Sequence, residues 1–204
     1  MHRDLCHTGL LIAMIVAVSS LLGLAPALAE SQPQTRIAGS RVEVPIDRIQ
    51  IDDGDTVVIT WSDADTETVR ILGIDSPEIR HEAHNIPFDQ SFGPEAAGFA
   101  KGAFAVATKV ELLRASMMDP YGRTLGYLFL NGRNYSVMIL RAGLAAETVS
   151  HYGDNGLPEE AAACLEAAKQ GGPIAFEPPY QFRGRMREVS VWMRERGLLP
   201  KQEE

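Results

Sequence analysis

The stretch from Arg70 to Glu78, RILGIDSPE, constrains the fold most strongly, because an apolar strand runs directly into a polar turn. Proline disfavours the helical region for the residue before it, so Ser76 should be extended and the strand should end there. The carboxylates of Asp75 and Glu78 are therefore presented at a strand end, on a rigid scaffold that still reaches solvent. Such a turn suits a metal ligand or a general base, but taken alone this stretch favours an ordinary solvated junction.

Short runs with strand or helix periodicity surround this stretch and predict a small barrel. Strands are expected at residues 42–51, 56–61, 66–74, 109–113 and 123–130. Helices are expected at residues 93–108, 136–142 and 158–169. Five strands with a helix between the third and the fourth, followed by terminal helices, are the layout of an oligonucleotide-binding (OB) fold. The predicted fold class is α+β, mainly β: a five-stranded OB-fold (Greek-key) barrel with three helices.

Residues 1–29 have the pattern of a signal peptide. A short polar head with Arg3 precedes an apolar run from residue 9 to residue 24, and Ala27-Leu28-Ala29 supplies a small-x-small cleavage pattern. A spanning helix needs about 20 apolar residues, so an uncleaved anchor is the weaker interpretation of this shorter run. We therefore expect cleavage before Glu30, a secreted or periplasmic protein, and no stable membrane anchor.

The rest of the chain is predicted to form one domain with two flanking segments. Residues 30–40 are a polar, flexible lead-in, residues 41–171 the barrel domain, and residues 172–204 a C-terminal extension. Cleavage removes Cys6, so Cys164 has no partner for an internal disulfide. The remaining length, about 175 residues, is enough to bury one core. We expect a monomer.

The net charge argues against an extended surface for nucleic acid. The chain carries a formal charge of -8, and the predicted signal peptide contributes one acid and one base, so cleavage leaves the total unchanged. A long electrostatic contact with nucleic acid needs clustered Lys and Arg. A small local site remains compatible with an acidic total.

Charged side chains collect at the predicted strand ends: Asp55, Arg70, Asp75, Glu78 and Arg123. Two carboxylates with a backbone carbonyl and waters suit a hard cation such as Ca²⁺. Two guanidiniums suit a phosphodiester, since each can bind phosphate oxygens and stabilise the charge of the transition state. A further carboxylate could orient or deprotonate the attacking water. Each residue also has a structural explanation: a braced turn, a cross-strand ion pair or a surface charge.

Five ordered motifs between about Asp47 and Lys169 resemble the staphylococcal nuclease (thermonuclease) family. They are Asp53-Gly54-Asp55-Thr56, Arg70 with Ile74-Asp75-Ser76-Pro77-Glu78, Gly93-Pro94-Glu95-Ala96, Asp119-Pro120-Tyr121-Gly122-Arg123 and Arg141-Ala142-Gly143-Leu144-Ala145. The resemblance implies an OB barrel with three helices. It also implies a Ca²⁺-dependent phosphodiesterase that acts on DNA and RNA and cleaves the bond to the 5′ oxygen, leaving 3′-phosphate ends.

The resemblance also implies roles for single residues. Asp55 and Asp75 correspond to the calcium carboxylates, and Ser76 stands where the family has threonine and would contribute its backbone carbonyl. Glu78 is similar to the proposed general base. Arg70 and Arg123 complete the catalytic set. They are similar to the family's arginines that hold the scissile phosphate.

The nucleotide-binding residues depart from the family pattern. Tyr121 matches the tyrosine that contacts the terminal phosphate of a bound nucleotide. Pro120 replaces the lysine that commonly precedes it, so we expect weaker ground-state binding with the chemistry less affected. The tyrosine-rich strand of the family corresponds here to Val149-Ser150-His151-Tyr152, where His151 and Tyr152 could supply rings for base stacking.

Two segments keep alternative interpretations. The 79–92 loop carries two histidines and two acids that suit either a transition-metal site or a solvated loop: His81, Glu82, His84 and Asp89. In the extension, a short amphipathic helix is expected from Arg185 onward. Either Trp192 packs back on the domain and the arginines are solvated, or the helix contacts nucleic acid or a membrane.

The sequence leaves two other functions open. One is a binding module of the same fold that holds nucleic acid or protein without cutting it, and the acidic charge and the missing lysine favour it. The other is an exported phosphodiesterase for small nucleotides, which a weakly basic cleft would suit. The presence of all five candidate side chains favours an enzyme.

Overall fold

The computed structural model describes residues 34–200. The predicted signal peptide and the start of the lead-in lie outside this range, so cleavage and export stay predictions. Among residues 34–200, no helix is long and apolar enough to cross a membrane. Residues 34–40 of the predicted lead-in contact the sheet, where the Gln34 N–H donates to the Asp65 carboxylate at 2.8 Å and Arg36 forms an ion pair with that group.

The described part of the chain forms nine strands and five helices. The strands are β1 (Arg41–Val44), β2 (Ile49–Ile51), β3 (Thr56–Ser62), β4 (Asp65–Ile71), β5 (Ile74–Asp75), β6 (Val110–Met118), β7 (Thr124–Leu130), β8 (Arg133–Asn134) and β9 (Ala146–Glu147). The helices are α1 (Gly93–Ala105), α2 (Tyr135–Arg141), α3 (Val149–Tyr152), α4 (Pro158–Gly171) and α5 (Pro179–Glu195).

A curled mixed sheet forms a half-barrel. Its strand order is β1-β6-β7-β4-β3-β2, with β8 paired to β7, and β5 and β9 form a separate two-stranded sheet. The pairs are antiparallel except β4 and β7, which run parallel with Val69 beside Thr124. This arrangement confirms the predicted fold class, an α+β and mainly β fold of the OB type. The parallel pair brings the start of β7 beside the strand that carries Arg70.

The element counts differ from the five strands and three helices predicted for the barrel. Residues 42–51 form two strands, because Pro45 has no N–H for a ladder and a 3₁₀ turn follows at Ile46–Arg48. The predicted third strand stops at Ile71, since Gly73 turns the chain with a φ of 80°, and the chain continues as β5 in the other sheet. The segment compared with a tyrosine-rich strand is the helical turn α3.

One apolar core fills the space between the sheet and the helices. Its large, fully buried side chains include Ile59, Leu112, Tyr127, Tyr135 and Ile139. Burying an aliphatic or aromatic side chain of this size contributes about 1.5 to 3 kcal/mol. The core therefore fixes the strands whose ends carry the charged residues.

An ion pair that was not predicted from the sequence lies inside the barrel. Arg114 on β6 donates to both carboxylate oxygens of Glu67 on β4, each at 2.7 Å. Trp61 and Thr124 donate to the same carboxylate at 2.7 and 2.8 Å. Strand alternation places Glu67 on the buried face with Val69, so its charge needs these partners.

The C-terminal extension packs on the 79–92 loop through α5. This helix begins at Pro179, six residues before the predicted start, because proline fits the first turn of a helix. Phe182 and Met186 of α5 form a small apolar cluster with Ile86 of the loop. Trp192 is half-exposed, so the helix is anchored by other side chains.

Candidate active site

The Arg70 guanidinium joins two acids from different strands. Thr56 on β3 lies opposite Arg70 on β4, and the Ile71 N–H donates to the Asp55 carbonyl at 2.8 Å. This pairing places Asp55 beside Arg70. The guanidinium contacts the Asp55 carboxylate at 3.1 Å and the Asp75 carboxylate at 3.0 Å. Strand register therefore brings together three of the predicted site residues.

Ser76 packs directly on Asp55. Asp55 and Asp75 are buried, with 5% and 7% of their surface exposed. The Ser76 backbone N–H and hydroxyl both donate to Asp55 Oδ2, at 2.6 and 3.0 Å. Gly54 permits this contact, because a Cβ at that position would lie 2.7 Å from the Ser76 Cβ. The Asp-Gly-Asp turn and the strand end thus form one unit, and ligation by the Ser76 carbonyl stays a prediction.

Glu78 is held through its backbone. Its N–H donates to the Gln90 side chain at 3.1 Å, and its carbonyl accepts from the Gln90 N–H at 2.8 Å. Gly93, at the start of α1, lies against the same carbonyl, and a Cβ there would be 2.1 Å from the Glu78 oxygen. The Gln90 side chain also donates to the Glu177 carbonyl at 2.5 Å. The backbone of Glu78 is therefore packed against the start of α1, and Gln90 links it to the C-terminal extension.

Arg183 of α5 is a site residue that was not predicted from the sequence. Its Nη1 lies 2.9 Å from Asp75 Oδ1 and 2.5 Å from Glu78 Oε1, and its Nη2 lies 3.0 Å from Asp75 Oδ2. The sequence shows a cluster of arginines near the C-terminus, but helical spacing does not indicate which of them reaches acids about 105 residues earlier. A single guanidinium thus bridges a predicted metal ligand and the predicted base.

Burial and mutual repulsion perturb the acids of this cluster. Burial, and secondarily the charge of Asp55, raise the pKa of Asp75, although Arg183 opposes the shift. Burial also raises the pKa of Glu78, with further contributions from Asp55 and Asp75. Burial and the Asp55 charge raise the pKa of Asp53 well above its ordinary value. A raised carboxyl pKa moves Glu78 toward the range in which a general base works best at neutral pH.

Arg123 lies apart from the acidic cluster. Its Nε contacts Asp119 Oδ2 at 2.7 Å, and its guanidinium lies 5.7 Å from the Tyr121 ring centre. Within residues 34–200, no hydrogen bond or ion pair joins Arg123 to Asp55, Asp75 or Glu78. Arg123 directly precedes Thr124 in the sequence. Thr124 pairs with Val69, the residue before Arg70, across the parallel strands β7 and β4. The two arginines therefore start from neighbouring strands, and only Arg70 contacts the acids.

The predicted nucleotide contacts are exposed. Tyr121, 85% exposed, and Arg123 line a cavity of about 330 Å³ together with Arg36 and Thr68. His151 and Tyr152 lie on α3, with their ring centres 4.5 Å apart in an edge-to-face arrangement. The Thr148 N–H before α3 donates to the Gly73 carbonyl at 3.2 Å, which attaches this segment near β5. Substrate binding by these three rings stays a prediction.

The oxygens of the acidic cluster are engaged by protein donors. Among residues 34–200, no three His, Cys, Asp or Glu side chains are grouped in a way that would hold a metal ion. Both oxygens of Asp75 accept from Arg183, and Asp55 accepts from Ser76. In donor chemistry the residues still fit Ca²⁺, because two buried carboxylates supply hard oxygens in an environment with excess negative charge.

The 79–92 loop has its own contacts. The His81 and His84 rings stack with centres 3.8 Å apart. Glu82 forms an ion pair with Arg80, and Asp89 accepts from the Arg80 N–H at 2.6 Å. Both acids of this loop are thus engaged by Arg80, and the loop packs on α5 through Ile86, so it is only partly solvated.

Comparison with known proteins identifies the family of this chain. The family model described as staphylococcal nuclease homologue matches residues 68–172. Thermonuclease of Staphylococcus intermedius is 36% identical over 94 residues, which cover 46% of this chain and 53% of the relative. Thermonuclease of Staphylococcus hyicus is 34% identical over 98 residues, which cover 48% of this chain and 55% of the relative. The SPbeta prophage-derived endonuclease YokF of Bacillus subtilis is 31% identical over 105 residues, which cover 51% of this chain and 33% of the relative. The chain thus spans about half the length of the thermonucleases, and it belongs to the staphylococcal nuclease homologue family.

Proposed function

We propose that the protein is a calcium-dependent nuclease that hydrolyses phosphodiester bonds of DNA and RNA. The observation that carries the proposal is the convergence of Asp55, Arg70, Asp75 and Ser76 on one cluster, to which the Arg183 guanidinium links Glu78. The names of the relatives, thermonuclease and endonuclease, support the same reaction class. Export through residues 1–29 is part of the proposal and is supported by the sequence pattern alone.

The arginines would bind and orient the phosphodiester. Arg70 is held in place by Asp55 and Asp75, so its geometry is fixed before substrate arrives. Arg123 reaches solvent beside Tyr121 and would supply the second guanidinium from the neighbouring strand. Guanidiniums aimed at the phosphate oxygens stabilise the charge that develops in the transition state. Bound Ca²⁺, held by Asp55, Asp75 and the Ser76 carbonyl, would add further neutralisation of this charge.

Glu78 would act as the general base. Its carboxylate would take a proton from a water whose oxygen forms a bond to phosphorus, in line with the 5′ oxygen. The bond between phosphorus and the 5′ oxygen breaks, the leaving oxygen takes a proton from solvent, and the 3′-phosphate remains. The raised pKa of Glu78 makes its carboxylate a better proton acceptor than an ordinary one.

A binding module that does not cut is the second candidate. The contact of Arg183 with both Asp75 and Glu78 favours it, because this guanidinium engages two of the groups that catalysis would use. The separation of Arg123 from the cluster points the same way.

A fluorogenic DNA assay separates these functions. Parallel samples contain Ca²⁺, EGTA or Mg²⁺, and matched samples replace DNA with RNA or with a fluorogenic dinucleotide. We expect cleavage of DNA and RNA with Ca²⁺, loss in EGTA, and a loss of several orders of magnitude in Glu78→Gln. Glu166→Gln, an exposed acid on α4, is the matched control. Binding without cleavage would support the module, and cleavage of the dinucleotide alone would support a phosphodiesterase for small nucleotides.

A further inference from the structure

Arg183 lies outside the part of the chain that matches the family, yet it contacts the centre of the site. The family segment ends at residue 172, and α5 follows it. The Arg183 guanidinium is bidentate on Asp75, at 2.9 and 3.0 Å, and contacts Glu78 at 2.5 Å. Its side chain is 32% exposed, so it reaches both the acids and the solvent.

The position of Arg183 is set by several contacts of α5. Phe182, its neighbour in sequence, packs with Met186 against Ile86. Arg194, near the end of the helix, donates to the Asn85 side-chain oxygen at 2.5 Å. These contacts attach the helix to the loop that follows Glu78. Arg183 is therefore held at the acids by its helix, unlike a mobile surface arginine.

The lone pairs of Asp75 leave little room for a cation while Arg183 is in place. Oδ1 of Asp75 accepts from Arg70 at 3.0 Å and from Arg183 at 2.9 Å, and Oδ2 accepts from Arg183 at 3.0 Å. A carboxylate oxygen has about two lone-pair positions, so both positions of Oδ1 are used. A cation bound to Asp75 would also be repelled by the charge of Arg183 at contact distance.

Arg183 also changes the charge that a cation would meet. The Arg183 guanidinium contacts Asp75 and Glu78, and the Arg70 guanidinium contacts Asp75 and Asp55, so three acids share two guanidiniums. The affinity of an oxygen site for Ca²⁺ rises with the number of negative ligands. Removal of one guanidinium therefore frees oxygens and increases the negative charge at once.

We propose that Arg183 competes with a divalent cation for Asp75 and Glu78 and thereby sets the cation affinity of the site. The inference rests on the proposed function, in which Asp55 and Asp75 hold Ca²⁺. Cation binding requires the Arg183 guanidinium to leave Asp75, whereas Phe182 and Met186 can keep α5 attached to the loop. The C-terminal extension thus makes the site respond to a higher Ca²⁺ concentration than the barrel alone would.

Isothermal titration of the full chain with Ca²⁺ tests this competition. We expect Arg183→Gln to bind Ca²⁺ at least about fivefold more tightly than the wild type, which is the lower range of coupling between two binding events. Arg183→Lys keeps the charge and loses the bidentate fork, so its Ca²⁺ affinity should lie between those of the wild type and Arg183→Gln. The control Arg185→Gln removes an equal charge from the same helix, at a residue that pairs with Glu177, and should bind like the wild type. Asp75→Asn should lose binding.

The outcomes distinguish the two proposals. Equal or weaker Ca²⁺ affinity in Arg183→Gln, or an equal gain in Arg185→Gln, overturns the role of Arg183 and leaves a Ca²⁺-dependent nuclease standing. Absence of Ca²⁺ binding in every variant, or binding by Asp75→Asn equal to the wild type, overturns the assigned cation site and the competition together. Circular dichroism of each variant verifies the fold, and Arg183→Lys provides the test if Arg183→Gln does not fold.

Discussion

Ser76 donates two hydrogen bonds to one oxygen of Asp55, through its backbone N–H at 2.6 Å and its hydroxyl at 3.0 Å. Both residues are buried, so the hydroxyl has no solvent alternative. Ser76→Ala should lower the free energy of unfolding by about 1.5 to 3 kcal/mol, since a hydrogen bond to a charged group is lost. Ser76→Thr keeps the hydroxyl, so it should lower the free energy of unfolding by less than Ser76→Ala does. Urea unfolding measures both, and equal losses would contradict a role for the hydroxyl.

Gly93 fixes the distance between α1 and Glu78. A Cβ at this position would lie 2.1 Å from the Glu78 carbonyl oxygen, so Gly93→Ala must displace the backbone of the proposed base. We expect a loss of about 1 to 3 kcal/mol in stability and a fall in hydrolysis that exceeds the loss of folded protein.

Gly98 is the matched control for Gly93, because it lies in the same helix and a Cβ there meets no atom within 4 Å. Gly98→Ala should stabilise the protein by about 0.5 to 1 kcal/mol, through helix propensity alone. Thermal unfolding and the DNA assay measure the pair. Similar effects of the two substitutions would refute the close contact at Gly93.

The strand end at Asp75 could be predicted from the sequence because its determinants are local. Pro77 restricts the backbone of Ser76 to extended conformations, and the alternation of apolar residues locates the strand. The positions of Asp75 and Glu78 therefore follow from a few neighbouring residues. The fold class follows in the same way from the order of short strands and helices. The break of residues 42–51 at Pro45 had a visible signal in the proline itself.

The contacts of Arg183 and Glu67 could not be predicted in the same way, since they depend on tertiary packing. Arg183 meets Asp75 across 108 positions of sequence, and only the docking of α5 selects it among several arginines. Glu67 carried a partial signal, because it shares the buried face of its strand with Val69 and a buried acid needs a partner. The identity of that partner, Arg114, follows from the β6–β7–β4 order of the sheet.

Arg123 should contribute to hydrolysis even though it pairs with Asp119 and not with the acids of the cluster. Arg123→Ala should lower turnover by about 10²- to 10³-fold, the loss typical of removing one donor to the transition state. Arg133→Ala, at an exposed position on β8, is the control and should leave turnover unchanged. Steady-state kinetics on DNA measure both. Unchanged turnover in Arg123→Ala would remove this residue from the mechanism.

Cys164 should be inert toward thiol reagents in the folded protein. It is a free, buried cysteine, and burial raises the pKa of its thiol to about 12. The reactive thiolate is therefore scarce at neutral pH. Reaction with an aromatic disulfide reagent should be slow in buffer and fast in concentrated urea. Rapid labelling of Cys164 itself in the native protein would show that α4 opens from the barrel.

Acid should weaken the fold through Glu67. Burial alone would raise the pKa of Glu67, but hydrogen bonds from Arg114, Thr124 and Trp61 outweigh it and lower the pKa below the ordinary 4.5. Because the folded pKa is the lower one, the stabilisation is complete above the unfolded pKa and is lost as pH falls through the folded pKa. Glu67→Gln should cost about 3 to 5 kcal/mol at pH 7, and this difference from the wild type should shrink progressively in urea titrations below about pH 4. Exposed Glu166→Gln is the control, and a Glu67 effect that does not change with pH would contradict the ionised pair.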